Sequence, residues 1–238
     1  MAIGICLENK DERLAWALGV RGVRLGWSFE TSSVKSPFQD RLREWATTDS
    51  YDIPLGIVLC GPPGTGKTGL AISTLRERAK FLQTQKQSED DLTRWEFRNL
   101  SSADAIKAQL DQEQAGQRPS VRPTYVGWFT SWLLLVNDLN KNPKWDNRWE
   151  DGNDYLNRLR YTDTLVIDDI GQGTVTESRE GWLRMFIDRP VAERKRVIVT
   201  VNAVPDDFEK VFGDMIADRL MDTSSFTLYK STNISLRR

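Results

Sequence analysis

The 238-residue chain contains no histidine. That absence removes the commonest general base and the Ser-His and Cys-His pairs of nucleophilic catalysis. Any chemistry here must use carboxylates, Lys, Arg, Asn or a bound metal. There are only two cysteines, Cys6 and Cys60. Without histidine or metal-ligand spacing they provide neither a zinc site nor a disulfide framework. Cys60 lies in an apolar run and reads as a small buried residue. No apolar run approaches the roughly 20 residues needed to span a bilayer. Met1 to Lys10 lacks the basic start and apolar stretch of a signal peptide. The expectation is a reducing, cytoplasmic compartment with no membrane partner. Large charge of either sign is also missing, since the formal net charge is −1. Nucleic-acid binding would therefore need a local patch rather than bulk attraction.

What is present suits one soluble domain with an insertion or arm: 39% hydrophobic and 28% charged residues. Residues 1–26 read as a short N-terminal arm, with a helical turn or two from Asp11 to Leu18. Gly19, Gly22 and Gly26 punctuate the end of that arm. Residues 37–48 read as a helix, because Phe38, Leu42, Trp45 and Ala46 share a face. The apolar run Pro54 to Cys60 suits a buried parallel strand. Thr68 to Leu82 follows as a helix with Leu70, Ala71, Leu75 and Leu82 on its apolar side. Residues 83–123 are polar and poor in large apolar groups, and read as an insertion with a helix from Ser102 to about Gln114. Further strands are expected at Pro123–Phe129, Thr164–Ile167, Arg196–Val201 and Phe226–Tyr229. Helices are expected at Thr130–Leu139, Trp182–Ala192 and Asp206–Leu220, with a turn at Tyr155–Leu159. Alternation of strand and helix predicts an α/β fold with a mainly parallel sheet covered on both faces.

The run Gly61-Pro62-Pro63-Gly64-Thr65-Gly66-Lys67-Thr68 has the spacing of a P-loop. Its glycines let successive backbone N–H groups point inward and form a nest for phosphate oxygens. The following helix adds the partial positive charge of its N-terminus. Lys67 supplies a point charge to the outer phosphates, and Thr68 offers a hydroxyl to magnesium. An apolar strand before the loop and a helix after it set this run apart from a chance glycine-rich turn.

Three later stretches carry the remaining candidates. Leu165-Val166-Ile167 closes in Asp168-Asp169, and ligands of open α/β sheets sit at the carboxyl ends of strands. Asp168 is expected to hold magnesium, and Asp169 to orient the attacking water. Arg196 to Val201 ends in Asn202, whose amide would lie beside the γ-phosphate. Arg219, in Asp218-Arg219-Leu220, is a candidate trans arginine for a neighbouring subunit's site, with Arg189 a second candidate. Either is otherwise an ordinary solvated charge. Of the nine tryptophans, Trp128 and Trp132 read as core. Trp145 and Trp149, interleaved with Lys141, Lys144 and Arg148, offer a stacking surface for single-stranded nucleic acid. Asp146, Glu150 and Asp151 dilute that charge, and ordinary packing is the competing reading.

In this order, these motifs resemble the DnaC/IstB branch of the AAA+ ATPases, which comprises bacterial and phage helicase loaders and transposition helper ATPases. The resemblance runs over roughly residues 19–238. It starts at Gly19-Val20-Arg21 and Trp27-Ser28-Phe29-Glu30 and becomes firm at Gly61 to Thr68. It continues through Leu165 to Gly171, Val199 to Asn202 and Ala217 to Leu220. It closes at Ser235-Leu236-Arg237-Arg238, where Leu236 replaces an aromatic. Many AAA+ proteins have Asp-Glu where this chain has Asp168-Asp169.

The resemblance implies a P-loop AAA+ three-layer sandwich at 27–238 without a helical lid. It implies ATP and magnesium, active sites between subunits of a homo-oligomer, and DNA as a ligand. By match of motif, Asn202 is the first sensor, Arg219 the arginine finger and Arg237 a terminal nucleotide-binding arginine. The partner is a replicative helicase, with single-stranded DNA, or a transposase, with duplex DNA. A nucleotide-switched scaffold with little turnover is the reading from another class. Little chain is left for a partner-docking N-terminal domain, so either the 83–123 insertion does the docking or the protein is not a conventional loader.

Overall fold

The computed structural model describes residues 18–20, 22–31, 37–49, 52–88, 125–141, 162–171, 177–192 and 195–231. A five-stranded parallel sheet forms the middle layer: β1 (Gly56–Cys60), β2 (Tyr125–Ser131), β3 (Thr162–Ile170), β4 (Arg196–Val201) and β5 (Phe226–Lys230). Its spatial order is β2-β3-β4-β1-β5. The chain leaves β1 toward the β2 edge and leaves β4 toward the β5 edge. The crevice between β1 and β4 is therefore the topological switch point, where open α/β sheets bind ligands.

Strand alternation sorts the core into two layers. Ile57, Leu59, Val166 and Ile198 face the helices α1 (Gln39–Thr47) and α2 (Lys67–Ser88). Val58, Cys60, Leu165, Ile167, Val197 and Val199 face α3 (Trp132–Lys141), α4 (Glu177–Ala192), α5 (Phe208–Phe212) and α6 (Asp214–Met221). Both faces of the sheet are thus covered. That is why its strands read as continuous apolar runs rather than alternating ones. Each fully buried Leu or Ile in these layers contributes roughly 1.5–3 kcal/mol. As the sequence predicts, Cys60, Trp128 and Trp132 belong to the core.

Several boundaries differ from the sequence reading. β2 runs two residues further, to Ser131, so α3 begins at Trp132 rather than Thr130. The β-branched Thr130 and its neighbours continue pairing with β3, with Thr130 opposite Ile167 and Ser131 opposite Asp168. α2 extends through Ser88, past the expected end at Leu82 and into the first part of the expected insertion. β3 does not stop at Ile167; it carries Asp168 and Asp169 within it and ends at Ile170. The helix expected over 206–220 is three pieces: a 3-10 turn at Pro205–Asp207, then α5 and α6. Gly213 separates the last two, with φ 79° and ψ 163°, a conformation open essentially to glycine alone. The helical expectations at 11–17, 102–114 and 155–159, and the insertion from 89 to 123, lie outside the described residues.

Candidate nucleotide site

The P-loop spans the gap between β1 and α2. Gly61, Gly64 and Gly66 have φ of 133°, 81° and 86°. A Cβ on Gly61 would collide with the Ser231 carbonyl. The loop is tied to both flanking strands. The Gly61 N–H donates to the Ala203 carbonyl at 2.9 Å, and the Ser231 N–H donates to the Cys60 carbonyl at 2.8 Å. Thr65 is buried and its hydroxyl donates to the Pro62 carbonyl at 3.0 Å. Pro62 and Pro63 are exposed on the rim. The Lys67 ammonium donates to the carbonyls of Gly61 at 2.9 Å and Pro62 at 2.7 Å. No acidic residue stands in the first turn of α2. Its N-terminal field is therefore left to an anion.

Asp168 is 1% exposed. Its Oδ1 accepts the hydroxyl of Thr68 at 2.8 Å and that of Thr200 at 2.8 Å. Its Oδ2 accepts Arg24 Nη1 at 3.4 Å. Burial pushes the Asp168 carboxyl above the usual carboxylate range, while the two hydroxyls and Arg24 oppose that shift. Asp169 Oδ1 accepts the Asn202 amide at 2.8 Å. The Asp169 N–H donates to Thr200 Oγ1 at 2.8 Å. Thr200 therefore links the two carboxylates, as donor to one side chain and acceptor from the other residue's backbone.

In a regular strand, consecutive side chains point to opposite faces, so an Asp-Asp pair could not serve one site. Here the register between β3 and β4 slips. Ile167 pairs with Val199, yet Ile170 pairs with Val201, giving β3 one extra residue. Asp169 takes up that residue with φ 57°. This bulge aims both carboxylates at the ends of β1 and β4, and bulges commonly re-aim side chains beside functional sites.

Thr68, Asp168, Asp169 and Asn202 thus converge at the sheet's carboxyl edge. Arg219 stands on α6, its side chain 54% exposed, and pairs with Asp188 of α4 at 3.4 Å. Arg189 falls within α4. Arg237, Trp145 and Trp149 lie outside the described residues. Sequence reasoning misses Thr200 and Arg24. Thr200 reads simply as a β-branched strand residue, and Arg24 lies 144 positions from its carboxylate. The donor set suits magnesium, which favours one or two carboxylates completed by phosphate oxygens over an all-protein cage. Among the described residues, no group of three or more His, Cys, Asp or Glu side chains that could hold a metal occurs.

No family model and no curated protein matches the chain. Solved structures do. The fold is similar to that of the DnaC helicase loader, with TM-score 0.54 and 17% identity over 87% of this chain and 98% of that one. It is similar to DnaI, with TM-score 0.53 and 15% identity over 90% and 92%. It is also similar to AMPPCP-bound DnaA from Aquifex aeolicus, with TM-score 0.53 and 15% identity over 87% of this chain and 50% of that one. The match thus spans about half of the DnaA chain. With its parallel sheet and P-loop, the chain has the AAA+ P-loop fold of these structures, the fold its motifs resemble.

Proposed function

We propose that the chain is an ATP-dependent DNA replication factor of helicase-loader type. The observation that carries the ATPase reading is the contact chain Thr68–Asp168–Thr200–Asp169–Asn202, each link 2.8 Å. It joins P-loop, acidic strand and sensor strand around one point. The N–H nest and Lys67 would bind the ATP phosphates, and Arg237 would add a contact to the nucleotide. Thr68 and Asp168 would hold magnesium, which neutralises phosphate charge when bound. Asp169 would orient the attacking water, held in place by the Asn202 amide.

Arg219 would complete the site of a second copy. Support comes from α6 itself, where Met215 is exposed one turn before Arg219. Such apolar surface favours a covered face. The loader reading is supported by the likeness to DnaC, which covers 87% of this chain and 98% of the solved DnaC chain. Likeness to a replication initiator DnaA bound to AMPPCP and single-stranded DNA supports a DNA ligand of that form.

The test is ATP hydrolysis in mixed oligomers. Asp169→Asn should lower turnover about 10²–10³-fold with nucleotide binding retained. Arg219→Ala subunits should bind ATP normally yet leave the neighbour's site inactive. Full activity in an all-Arg219→Ala oligomer would exclude the trans role. Salt-sensitive binding of single-stranded DNA and capture of a replicative helicase from the native host would support the loader reading. Capture of a transposase would overturn it.

A further inference from the structure

Arg24 lies in the 3-10 turn Gly22–Gly26, far in sequence from every motif of the site. Its guanidinium nonetheless faces Oδ2 of Asp168 at 3.4 Å, while Oδ1 is taken by two hydroxyls. Aromatic rings steer it there. Its Cζ is 5.6 Å from the Phe129 ring centroid and 5.9 Å from that of Trp27. The side chain is 38% exposed, so it has a route back to water. The segment that carries it is anchored to the P-loop helix. Arg76, buried on α2, donates from Nη1 to the carbonyls of Leu25 at 3.0 Å and Trp27 at 2.7 Å.

We propose that Arg24 is a built-in competitor for the magnesium position on Asp168, so that loading of a magnesium–nucleoside triphosphate frees Arg24 and loosens residues 22–27. The inference rests on the reading of Asp168 as a magnesium ligand. A divalent cation shared by Thr68 and Asp168 would sit on the same carboxylate as the guanidinium, on the Oδ1 side against Oδ2, close enough for like-charge repulsion to weaken the Arg24 contact. A ligand shifts an equilibrium only through its different affinity for the two states. Here that difference is the Arg24–Asp168 pair, which a loaded site weakens. The contact is long, at 3.4 Å, and Arg24 is partly exposed, so water can take up the guanidinium when the pair weakens. The Arg76 anchor stays in place, so the segment pivots on α2 instead of detaching. The nucleotide state of the site is thereby written onto the surface of the N-terminal segment, where Trp27 is exposed.

The test is magnesium titration of binding by a fluorescent ATP analogue, with hydrogen exchange of residues 22–27 as a second readout. Wild type is compared with Arg24→Ala and with Arg24→Lys, which keeps the charge. Arg24→Ala should reach half-maximal magnesium-dependent binding at about fivefold lower magnesium. Arg24→Lys should fall between the two. Binding of the analogue in EDTA should not change. In wild type, exchange at 22–27 should rise with magnesium and nucleotide together but not with nucleotide in EDTA. In Arg24→Ala it should be fast throughout. A higher magnesium requirement in Arg24→Ala would make Arg24 a phosphate ligand and overturn the competition. An unchanged titration and unchanged exchange would do the same. If wild type itself shows no magnesium-dependent binding, the reading of the site fails and the competition with it.

Discussion

Asp169 is the one non-glycine residue with positive φ among the described residues. Asp tolerates that conformation better than most residues. The strain is offset by the Asp169 N–H bond to Thr200 and the Asn202 bond to its carboxylate. Thr200→Val keeps the shape of the side chain but removes both of the hydroxyl's bonds. It is expected to cost about 1–3 kcal/mol in urea unfolding and to weaken magnesium-dependent nucleotide binding. Asp168 poses the opposite problem. Its native carboxyl holds its proton to higher pH than the unfolded chain does, because burial disfavours the charge. The stability it lends is full below the ordinary carboxylate range and is lost as pH rises through the native value. Its ionised form therefore works against the fold. Asp168→Asn should be more stable than wild type at pH 7, with the gain shrinking in acid, while magnesium-dependent binding is lost. Paired denaturation curves at pH 7 and pH 4 would check this.

At the scale of elements, two devices fix the parts that carry the site. The first is an arginine clamp on the C-terminal end of α1. Arg196 donates from Nη1 to the Trp45 carbonyl at 2.8 Å and from Nη2 to the Thr48 carbonyl at 2.6 Å. Arg78 adds Nη1 bonds to the Thr48 carbonyl and to Asp49 Oδ1. Both guanidinium groups reach helix-end carbonyls that have no partner within the helix. Arg196→Ala should cost about 2–4 kcal/mol in chemical denaturation, because the buried carbonyls lose charged donors. The second device is the break at Gly213, which starts α6 afresh and so sets the face on which Arg219 and Met215 stand. Gly213→Ala forces a side chain into a glycine-only conformation and should cost about 1–3 kcal/mol by thermal unfolding. If Arg219 acts in trans, the same change should lower oligomer ATPase activity more than nucleotide affinity.

For the molecule as a whole, Cys60 gives a probe of opening. It is fully buried at the end of β1 beside β5, its thiol donating to the Tyr229 carbonyl at 3.5 Å. Burial pushes its pKa up to about 11. The unfolded chain releases this proton first. Stability linked to Cys60 is therefore intact below the ordinary thiol range and declines as pH rises toward 11. In a Cys6→Ser background, thiol labelling near pH 8 should be slow and should track global unfolding. Nucleotide with magnesium should slow it further, by stabilising the native state. Fast labelling of the native protein would show that the β1–β5 edge opens locally.

Much of this architecture was legible in the chain. The apolar runs at 56–60 and 196–201 are strands because the buried parallel sheet demands apolar residues on both faces. The P-loop is legible because its chemistry sits in eight contiguous residues. Helix ends were less legible: one glycine at 213 divides what periodicity joins, and pairing with β3 overrides the expected start of α3 at Thr130. By itself the sequence determined the order of the described strands and helices, the two-sided core and the P-loop pattern, since each depends on local pattern and chemistry. Only the tertiary structure decided that Asp168 and Asp169 face one site, through a bulge set by register against β4. It alone joined Thr68 to Asp168 and brought Arg24 to the same carboxylate, across 100 and 144 positions of chain. Such contacts follow from how strands pair and helices pack in three dimensions, and no local pattern encodes that distance.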